Sequence, residues 1–287
     1  MRALRYFTLR EVLDAWSRVD RGEFVTASKG LTFDENAARG IERMYVTPDV
    51  VGQRARFLQM VAAKPGEYVL DVGMGPGFLT YDLAPIVGER GLVAGVDSSA
   101  VMVELARKRC EGRGPCEFKL ADATELPFGD ANFDVVVSTQ VYEYVADMAS
   151  ALAEVRRVLR PNGRVFVLDT DWDSVVWNSA DPARMRRVMD AWDDHLHDPH
   201  LPAKLPALLA RAGFALTHVE VIPIVNAALH PHCYSNGILG AIAAFVPGHR
   251  GVSAEEAKAW AAELRELGAR GEYFFSVNRY AFGAVRT

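Results

Sequence analysis

Residues 68–80 read YVLDVGMGPGFLT, in which an apolar strand runs directly into a glycine-rich turn and then into the start of a helix. Glycines at positions 73, 75 and 77 carry no side chain where the backbone must turn tightly and come close to a ligand. The helix that follows offers backbone N–H groups with no partner inside the helix. The stretch therefore predicts the turn of a nucleotide-like ligand site, although G-x-G-x-G also occurs in plain strand-turn-helix units.

Two further strands end in polar groups at suitable distances from this turn. The short apolar strand at 93–97 ends in Asp97, whose carboxylate can accept hydrogen bonds from both hydroxyls of a ribose. The strand at 117–120 is followed by Asp122 and Ala123, a polar strand end suited to an adenine amino group. Because open parallel sheets bind ligands beyond the carboxyl ends of their strands, we expect these groups to meet at one edge.

These elements, in this order and spacing, resemble the class I S-adenosylmethionine-dependent methyltransferases. The similarity is to the small-molecule branch that includes the ubiquinone/menaquinone and arsenite methyltransferases, and it covers about residues 46–221. The resemblance implies an enzyme whose cofactor is S-adenosyl-L-methionine. It also implies a Rossmann-like fold.

The resemblance assigns a role to each strand end. The loop from Asp71 to Gly77 would cradle the methionine part of the cofactor, and Asp97 would hold the ribose. Asp122 and the Ala123 N–H would read the adenine, against which the family often lays an apolar side chain, here Met102. The predicted cofactor-binding residues are Asp71, Gly73, Met74, Gly75, Gly77, Asp97, Ser98, Met102, Asp122, Ala123 and Gln140.

Two other ligand classes fit the sequence poorly. A dinucleotide oxidoreductase would show G-x-G-x-x-G, whereas this chain has no glycine at the final place, and a proline and a large residue leave poor room for a pyrophosphate. Nucleic-acid amino-methyltransferases carry an Asn/Asp-Pro-Pro-aromatic motif after the fourth strand, where residues 138–141 here read STQV. We therefore expect a small-molecule acceptor and no nucleic acid.

Composition limits the remaining classes. The chain has 287 residues, of which 50% are hydrophobic, and a net charge of −5, which suits one large domain or one domain with a cap. The acidic balance argues against general nucleic-acid binding. We find no apolar run long enough for a membrane span or a signal peptide, so we expect a soluble, cytoplasmic protein.

The three cysteines, Cys110, Cys116 and Cys233, have no metal-ligand spacing and are expected to be reduced thiols. Their small number also counts against arsenite as the acceptor. The resemblance to the arsenite enzymes is therefore one of scaffold only.

Strands and helices alternate along most of the chain. Strands are predicted at 68–72, 93–97, 117–120, 133–138, 164–169 and 215–222, a βαβ rhythm that indicates an α/β fold with helices on both faces of a mostly parallel sheet. Residues 271–285 are rich in strand formers, and the family resemblance makes them an antiparallel seventh and last strand. Residues 160–164 are predicted to form a turn with Gly163 at positive φ.

The long connections are predicted to form a lid. Residues 1–63 are interpreted as an N-terminal helical cap, and residues 64–287 as the methyltransferase domain with insertions at about 174–204 and 226–270. Connections of this length in a compact domain usually carry function. We therefore expect them to cover the cofactor and form the acceptor pocket. The apolar stretch 236–246 suits either a buried helix or a wall of that pocket.

A methyl sulfonium is already a strong electrophile, so the protein must chiefly align the acceptor, exclude water and remove a proton where needed. The candidate catalytic residues are Tyr142, Glu143 and His195. Glu143 fits a bracing role as well as that of a base, and Tyr142 fits a core position as well as a pocket wall. His195 lies in an inserted segment and would have to fold down onto the strand ends to act as a base.

Other functional readings stay open at the level of sequence. Asp169, Asp171 and Asp173 would share one face of an extended segment and could suit Mg²⁺, but the arrangement of the metal-dependent catechol-type enzymes is lacking, so no metal site is predicted. The acceptor is expected to be a small apolar or aromatic metabolite, and a homodimer is left open. The alternatives are a cyclase or pericyclase that binds the cofactor without methylating, and a non-catalytic partner subunit.

Overall fold

The computed structural model describes residues 35–287, so the helices predicted before residue 35 lie outside the described residues. A seven-stranded sheet forms the centre of the fold, with the strand order β3-β2-β1-β4-β5-β7-β6. The strands are β1 (Tyr68–Val72), β2 (Leu92–Asp97), β3 (Cys116–Leu120), β4 (Phe133–Thr139), β5 (Leu159–Trp177), β6 (Phe214–Asn226) and β7 (Phe275–Arg286).

Strands β1 to β5 are parallel, and β7 lies between β5 and β6 and runs antiparallel to both. The predicted α/β fold with its antiparallel last strand is therefore confirmed. Because β1 lies between β2 and β4, its carboxyl end faces the ends of both neighbours. Asp71 is in register with Gly95 on one side and Val137 on the other.

Helices connect the strands and cover the sheet. They are α1 (Glu35–Tyr45), α2 (Pro48–Val61), α3 (Phe78–Val87), α4 (Ala100–Cys110), α5 (Met148–Val158), α6 (Pro182–Trp192), α7 (Leu201–Arg211), α8 (Tyr234–Phe245) and α9 (Ala254–Ala269). Short 3₁₀ turns occupy Tyr142–Tyr144 and Asp193–His195. Among residues 35–287, none of the helices has the length and apolar content needed to cross a membrane.

Alternate residues of the central strands feed two separate cores, as expected for a sheet buried on both faces. Leu70 of β1 packs in a core with α5 and α7, whereas its neighbour Val69 packs on the opposite face with α2 and α3. The strand sequences are apolar on both faces because both faces are covered. This arrangement leaves only the strand ends for polar side chains.

A third core unites the two inserted segments. Strands β5 and β7 continue to pair beyond the parallel sheet, as far as Trp177 opposite Phe275. On this extension pack α6, α8 and α9, with Trp192 and Trp260 fully buried between them. The apolar stretch within α8 is thus mainly a core helix, one of the two forms expected for it.

The turn predicted at 160–164 differs from the prediction in detail. Helix α5 ends at Val158 and β5 begins at once, and the residue with positive φ is Asn162, at 62°, not Gly163. A Cβ at Gly163 would lie 2.8 Å from the carbonyl oxygen of Arg160. The glycine is therefore required by a close backbone approach and not by its φ angle.

Candidate active site

The glycine loop joins β1 to α3 and has two tight contacts and one open side. Gly73, Gly75 and Gly77 all have positive φ, at 68°, 53° and 81°. A Cβ at Gly73 would lie 2.2 Å from a methyl of Val141, and one at Gly77 would lie 2.9 Å from Cα of Ala106. A Cβ at Gly75 would meet nothing within 4 Å. The loop is thus packed at both ends and open in the middle, which is where a ligand can approach the backbone.

Asp97 is the last residue of β2, and its side chain binds the backbone of the glycine loop. Its carboxylate accepts one hydrogen bond from the Gly75 N–H and one from the Ser99 N–H, each at 2.9 Å. Burial raises the pKa of Asp97, although these two backbone hydrogen bonds act in the opposite direction. Each carboxylate oxygen accepts more than one hydrogen bond. Acceptor capacity for ribose hydroxyls therefore remains.

The end of β3 lies beside Asp97, as predicted from the strand order. The Ala121 N–H donates to the Asp97 carbonyl oxygen at 3.0 Å. Asp122 is exposed and accepts hydrogen bonds from the N–H and the hydroxyl of Thr124, at 2.8 and 2.6 Å. Met102 is only 2% exposed. Contacts of these side chains with an adenine stay predictions, as does that of Ser98, which is exposed next to Asp97.

Asp71 is a buried carboxyl with one unused oxygen. Its Oδ2 accepts a hydrogen bond from the Thr80 hydroxyl at 2.8 Å, while its buried Oδ1 has no partner. Burial raises the pKa of Asp71 to about 7. A buried carboxyl of this kind gains most from a cationic or N–H donor, since such a donor restores the ionised form.

Gln140 follows β4 in a strained backbone conformation. Its φ is 58°, which is uncommon for a residue other than glycine and is typical of functional sites. The backbone N–H and the side-chain amide both donate to the Leu168 carbonyl, at 2.8 and 3.1 Å. Its Oε1 accepts the Thr170 hydroxyl at 2.5 Å. These bonds fix the side chain at the ends of β4 and β5.

A small, partly open cavity of about 30 Å³ lies beside Gln140, between α1, α2, the glycine loop and the strand ends. Its walls include Tyr45, Gln53, Met74, Phe78, Gln140 and Arg279. Helix α1 is fastened over the cavity by Arg109. This residue contacts Glu42 of α1 at 2.5 Å and donates to the Pro76 carbonyl in the glycine loop at 2.7 Å. Helix α1 and the glycine loop are therefore connected through Arg109.

Glu143 is a buried carboxyl whose pKa suits proton transfer near neutral pH. It lies in the 3₁₀ turn after β4, is only 2% exposed, and accepts a hydrogen bond from the Trp172 indole N–H at 3.3 Å. Burial raises the pKa of Glu143 to about 7, although the positive charge of Arg279 lowers it. A carboxylate with that pKa can take a proton near neutral pH.

The other two candidate catalytic residues have apolar surroundings. Tyr142 is fully buried in the core with α5 and α7, where its hydroxyl has no partner and burial raises its pKa. His195 stacks on Trp192 with 3.6 Å between the ring centroids, and its Nδ1 contacts the Trp192 carbonyl oxygen. Burial lowers the pKa of His195 to about 3, so the imidazole is neutral. Catalysis by either residue stays a prediction, and the surroundings favour packing.

The three alternating aspartates separate into two groups. Asp169 is fully buried and accepts a hydrogen bond from the Val141 N–H at 3.0 Å. Asp171 and Asp173 instead each lie 3.4 Å from Nδ1 of His200. Asp173 is exposed, and these two aspartates and His200 are outside the cavity walls. The expectation that all three aspartates share one face is therefore not met.

Sequence reasoning missed Arg279, which is 3% exposed and lies in the wall of the cavity. Its Nη1 donates to Gln53 Oε1, and its guanidinium lies 4.8 Å from the Tyr234 ring centre. A signal for it was present in the sequence. In β7, Phe275, Val277, Arg279 and Ala281 occupy alternate positions, and an arginine in that apolar set marks a functional position.

The buried carboxyl of Glu143 predicts a pH effect on stability. Its folded-state pKa of about 7 exceeds the ordinary glutamate pKa of 4.5, so between those pH values the folded state binds more protons than the unfolded state. Stability from this group is therefore lost as pH rises through that window. Urea unfolding of Glu143→Gln and wild type between pH 4.5 and 7 should show the variant gaining stability relative to wild type as pH rises. The exposed control Glu89→Gln should show a constant difference, and a constant difference for Glu143→Gln would contradict the prediction.

Comparison with known proteins agrees with the geometry of the strand ends. Residues 70–167 match a family model described as a methyltransferase domain. Among solved structures, a putative methyltransferase from Bacillus halodurans superposes with a TM-score of 0.60 at 20% identity, covering 82% of this chain and 100% of that one. At that identity the likeness concerns the fold.

Curated relatives are closer in sequence. A demethylmenaquinone methyltransferase from Lactobacillus johnsonii is 37% identical over 198 residues, which are 62% of this chain and 80% of that enzyme. An uncharacterised 37.1 kDa protein of transposon TN4556 from Streptomyces fradiae is 37% identical over 191 residues, 65% of this chain and 54% of that protein. Several other curated relatives are also matched over only about half of their length.

Proposed function

This chain belongs to the class I S-adenosylmethionine-dependent methyltransferases, and we propose that it transfers the cofactor's methyl group to oxygen, carbon or nitrogen of a small apolar or aromatic acceptor. The main support is that the glycine loop, the ends of β2 and β3, and a small cavity lined by Gln140 and Arg279 lie together at one edge of the sheet. Ligands bind at this edge in open parallel sheets.

The residues of the loop fit S-adenosylmethionine. The open side of Gly75 leaves room for a ligand against the backbone, and the unpartnered Oδ1 of Asp71 suits an amino group nearby. Asp97 would hold the ribose, Asp122 and Ala123 the adenine, and the loop with Gln140 the methionine part. When bound, the cofactor supplies an electrophilic methyl group on a sulfonium.

The protein's own residues would then handle position, water and the proton. The cap fastened by Arg109 excludes water, because α1 closes over the glycine loop. Gln140, fixed by three hydrogen bonds, keeps the ends of β4 and β5 in place beside the acceptor. Glu143 would take the proton that the acceptor loses, since its raised pKa suits a base near neutral pH.

The apolar or aromatic character of the acceptor rests on the walls of the site. Phe78 and Met74 line the cavity, and Trp172, which donates to Glu143, belongs to the third core with α6, α8 and α9. Pockets of this kind combine apolar walls with a few polar groups that fix orientation. The relative from Lactobacillus johnsonii is named for action on demethylmenaquinone, an acceptor that fits the same description.

Replacing Asp97 with alanine tests the cofactor site. We expect a loss of about 1–3 kcal/mol in binding of S-adenosylmethionine, because the substitution removes charge-assisted hydrogen bonds to ribose hydroxyls. Isothermal titration calorimetry with S-adenosylmethionine and S-adenosylhomocysteine measures this directly. The exposed control Asp190→Ala on α6 should bind like wild type. Unchanged affinity in Asp97→Ala would remove Asp97 from the proposed site.

A turnover assay tests the reaction itself. Purified protein is incubated with S-adenosylmethionine and a panel of aromatic acids, phenols and naphthoquinols, and release of S-adenosylhomocysteine is followed by mass spectrometry. We expect release with at least one panel member and a mass increase of one methyl group in that acceptor. Tight cofactor binding without release from any member would contradict methyl transfer to this class.

A further inference from the structure

We propose that the acceptor carries an anionic oxygen, a carboxylate or an ionised enol or phenol, separate from the atom that accepts the methyl group, and that Arg279 binds this oxygen. The proposal rests on the proposed function, because the cavity is an acceptor site only when the cofactor lies along the adjoining glycine loop. It goes further by assigning the charge of the acceptor and the residue that recognises it.

Arg279 is held inside the protein by the register of β7. It is in register with Thr170 of β5 on one side and Ile222 of β6 on the other, so neighbouring strands flank it. With 3% exposure its charge has little access to solvent. A buried guanidinium costs several kcal/mol of solvation unless an anion and hydrogen bonds compensate for it. The buried guanidinium of Arg279 therefore needs a counter-ion.

Among the described residues, the groups in direct contact with the Arg279 guanidinium are neutral. The amide oxygen of Gln53 accepts from Nη1, and the ring of Tyr234 lies 4.8 Å from the guanidinium carbon. The buried Nε of Arg279 has no hydrogen-bond partner. Arg279 takes part in none of the ion pairs within 4.0 Å found among residues 40–287. An anionic group from outside the chain would complete the guanidinium's contacts.

Two buried acids, Glu143 and Asp169, interact electrostatically with Arg279, but neither forms an ion pair with it among the described residues. Burial raises the pKa of Glu143 to about 7, and burial together with Glu143 raises the pKa of Asp169 well above its usual range. Burial thus disfavours the ionised forms of both carboxyls, which are the forms that offset the guanidinium charge. A bound sulfonium would add a second positive charge to the site. An anionic acceptor balances this charge, whereas a neutral acceptor leaves the Arg279 guanidinium without an ion-pair partner in direct contact.

The groups around Arg279 also favour an anionic oxygen. Burial raises the pKa of Tyr45 to about 12, so its phenol remains an O–H donor, and it lines the same cavity as Arg279. Burial likewise raises the pKa of Tyr234, whose ring faces the guanidinium. A cation with neighbouring O–H donors forms a hydrogen-bonding set for an acidic oxygen. Gln140 lies in the wall of the same cavity, which brings this set close to the cofactor loop.

Matched ligand pairs test the proposal on the full chain saturated with S-adenosylhomocysteine. The carboxylate pair is 2-naphthoate and neutral 2-naphthamide, and the enolate pair is 2-hydroxy-1,4-naphthoquinone, ionised at pH 7.5, and neutral 1,4-naphthoquinone. Calorimetry should show at least one anion binding about ten-fold or more tightly than its neutral partner. The pair that shows the preference identifies which acidic group the site takes.

Variants then assign the preference to Arg279. We expect Arg279→Gln to lose most of the anion preference while affinity for the neutral probe stays within about three-fold, and Arg279→Lys to restore part of it. Arg187→Gln, at an arginine that is 55% exposed on α6, is the matched control and should keep the preference. An anion preference that survives in folded Arg279→Gln would overturn the assignment.

The wild-type measurement decides the matter even when Arg279→Gln does not fold. If neither anion binds wild-type protein more tightly than its neutral partner, the proposal is wrong, although the proposed function stands. If S-adenosylhomocysteine itself does not bind, the proposed function is wrong and the acceptor assignment is overturned with it.

Discussion

Replacing Glu143 with glutamine should lower kcat by about 10²–10⁴-fold, the usual contribution of a general base. Glutamine has nearly the shape of glutamate, and its amide oxygen can still accept the Trp172 indole N–H, which lies 3.3 Å from the carboxylate in the wild-type protein. The variant therefore removes proton acceptance with little change in packing. Binding of S-adenosylmethionine should be almost unchanged, because the predicted cofactor contacts lie on other residues.

The pH dependence of the rate distinguishes a catalytic role of Glu143 as a base from a purely structural role. A base must be ionised to accept a proton, so wild-type kcat/KM should rise with pH and level off above about 7, the raised pKa of Glu143. The variant should lose this rise. The measurement is the rate of S-adenosylhomocysteine release between about pH 5.5 and 9 with the panel acceptor of highest turnover.

Two controls accompany this profile. Tyr142→Phe removes a buried hydroxyl without a partner and should keep the wild-type pH dependence, as should the exposed Glu89→Gln. Glu143→Gln with near wild-type kcat and an unchanged profile would show that the carboxyl only braces Trp172. That outcome would assign proton removal to another group or to solvent.

The parts of the site that could be predicted from sequence are those that local chemistry determines. The glycine turn follows from its own residues, and Asp97 and Asp122 follow from the rule that ligands bind beyond parallel strand ends. The central strands β1, β2 and β4 were visible because both of their faces are buried and their sequences are mostly apolar. The structure adds that Asp97 also holds the loop, through the Gly75 N–H.

The parts that could not be predicted depend on contacts between distant segments. Arg279 was missed although it alternates with apolar residues in β7, because its place in the cavity depends on β7 inserting between β5 and β6. The same holds for His195 and Tyr142. His195 stacks on Trp192, and Tyr142 is buried in the core with α5 and α7, so both surroundings depend on contacts between distant segments. Residue type alone does not distinguish a base from a packed side chain.

Replacing Gly73 with alanine should lower the free energy of unfolding by about 2–5 kcal/mol, from a left-handed backbone and an overpacked contact. The φ of Gly73 is 68°, and the new Cβ would lie 2.2 Å from a methyl of Val141. Gly75→Ala is the matched control, because its φ is 53° but its Cβ would meet nothing within 4 Å. We expect that control to lose only about 1–2 kcal/mol, the backbone part. Urea unfolding of both variants measures the difference.

Gly73→Ala and Gly75→Ala should also differ in whether they reduce stability or cofactor binding more strongly. A methyl group at Gly75 points into the open middle of the loop, so Gly75→Ala should lose more cofactor affinity than stability. Adding Val141→Ala to Gly73→Ala should recover the overpacking part of the stability loss. Equal stability losses in the two single variants would contradict the role of Val141.

The Val141 N–H donates to Asp169, and Val141 lies just before the 3₁₀ turn that contains Glu143. A displaced Val141 should therefore also move Glu143. We expect Gly73→Ala to lower kcat even when the enzyme is saturated with cofactor.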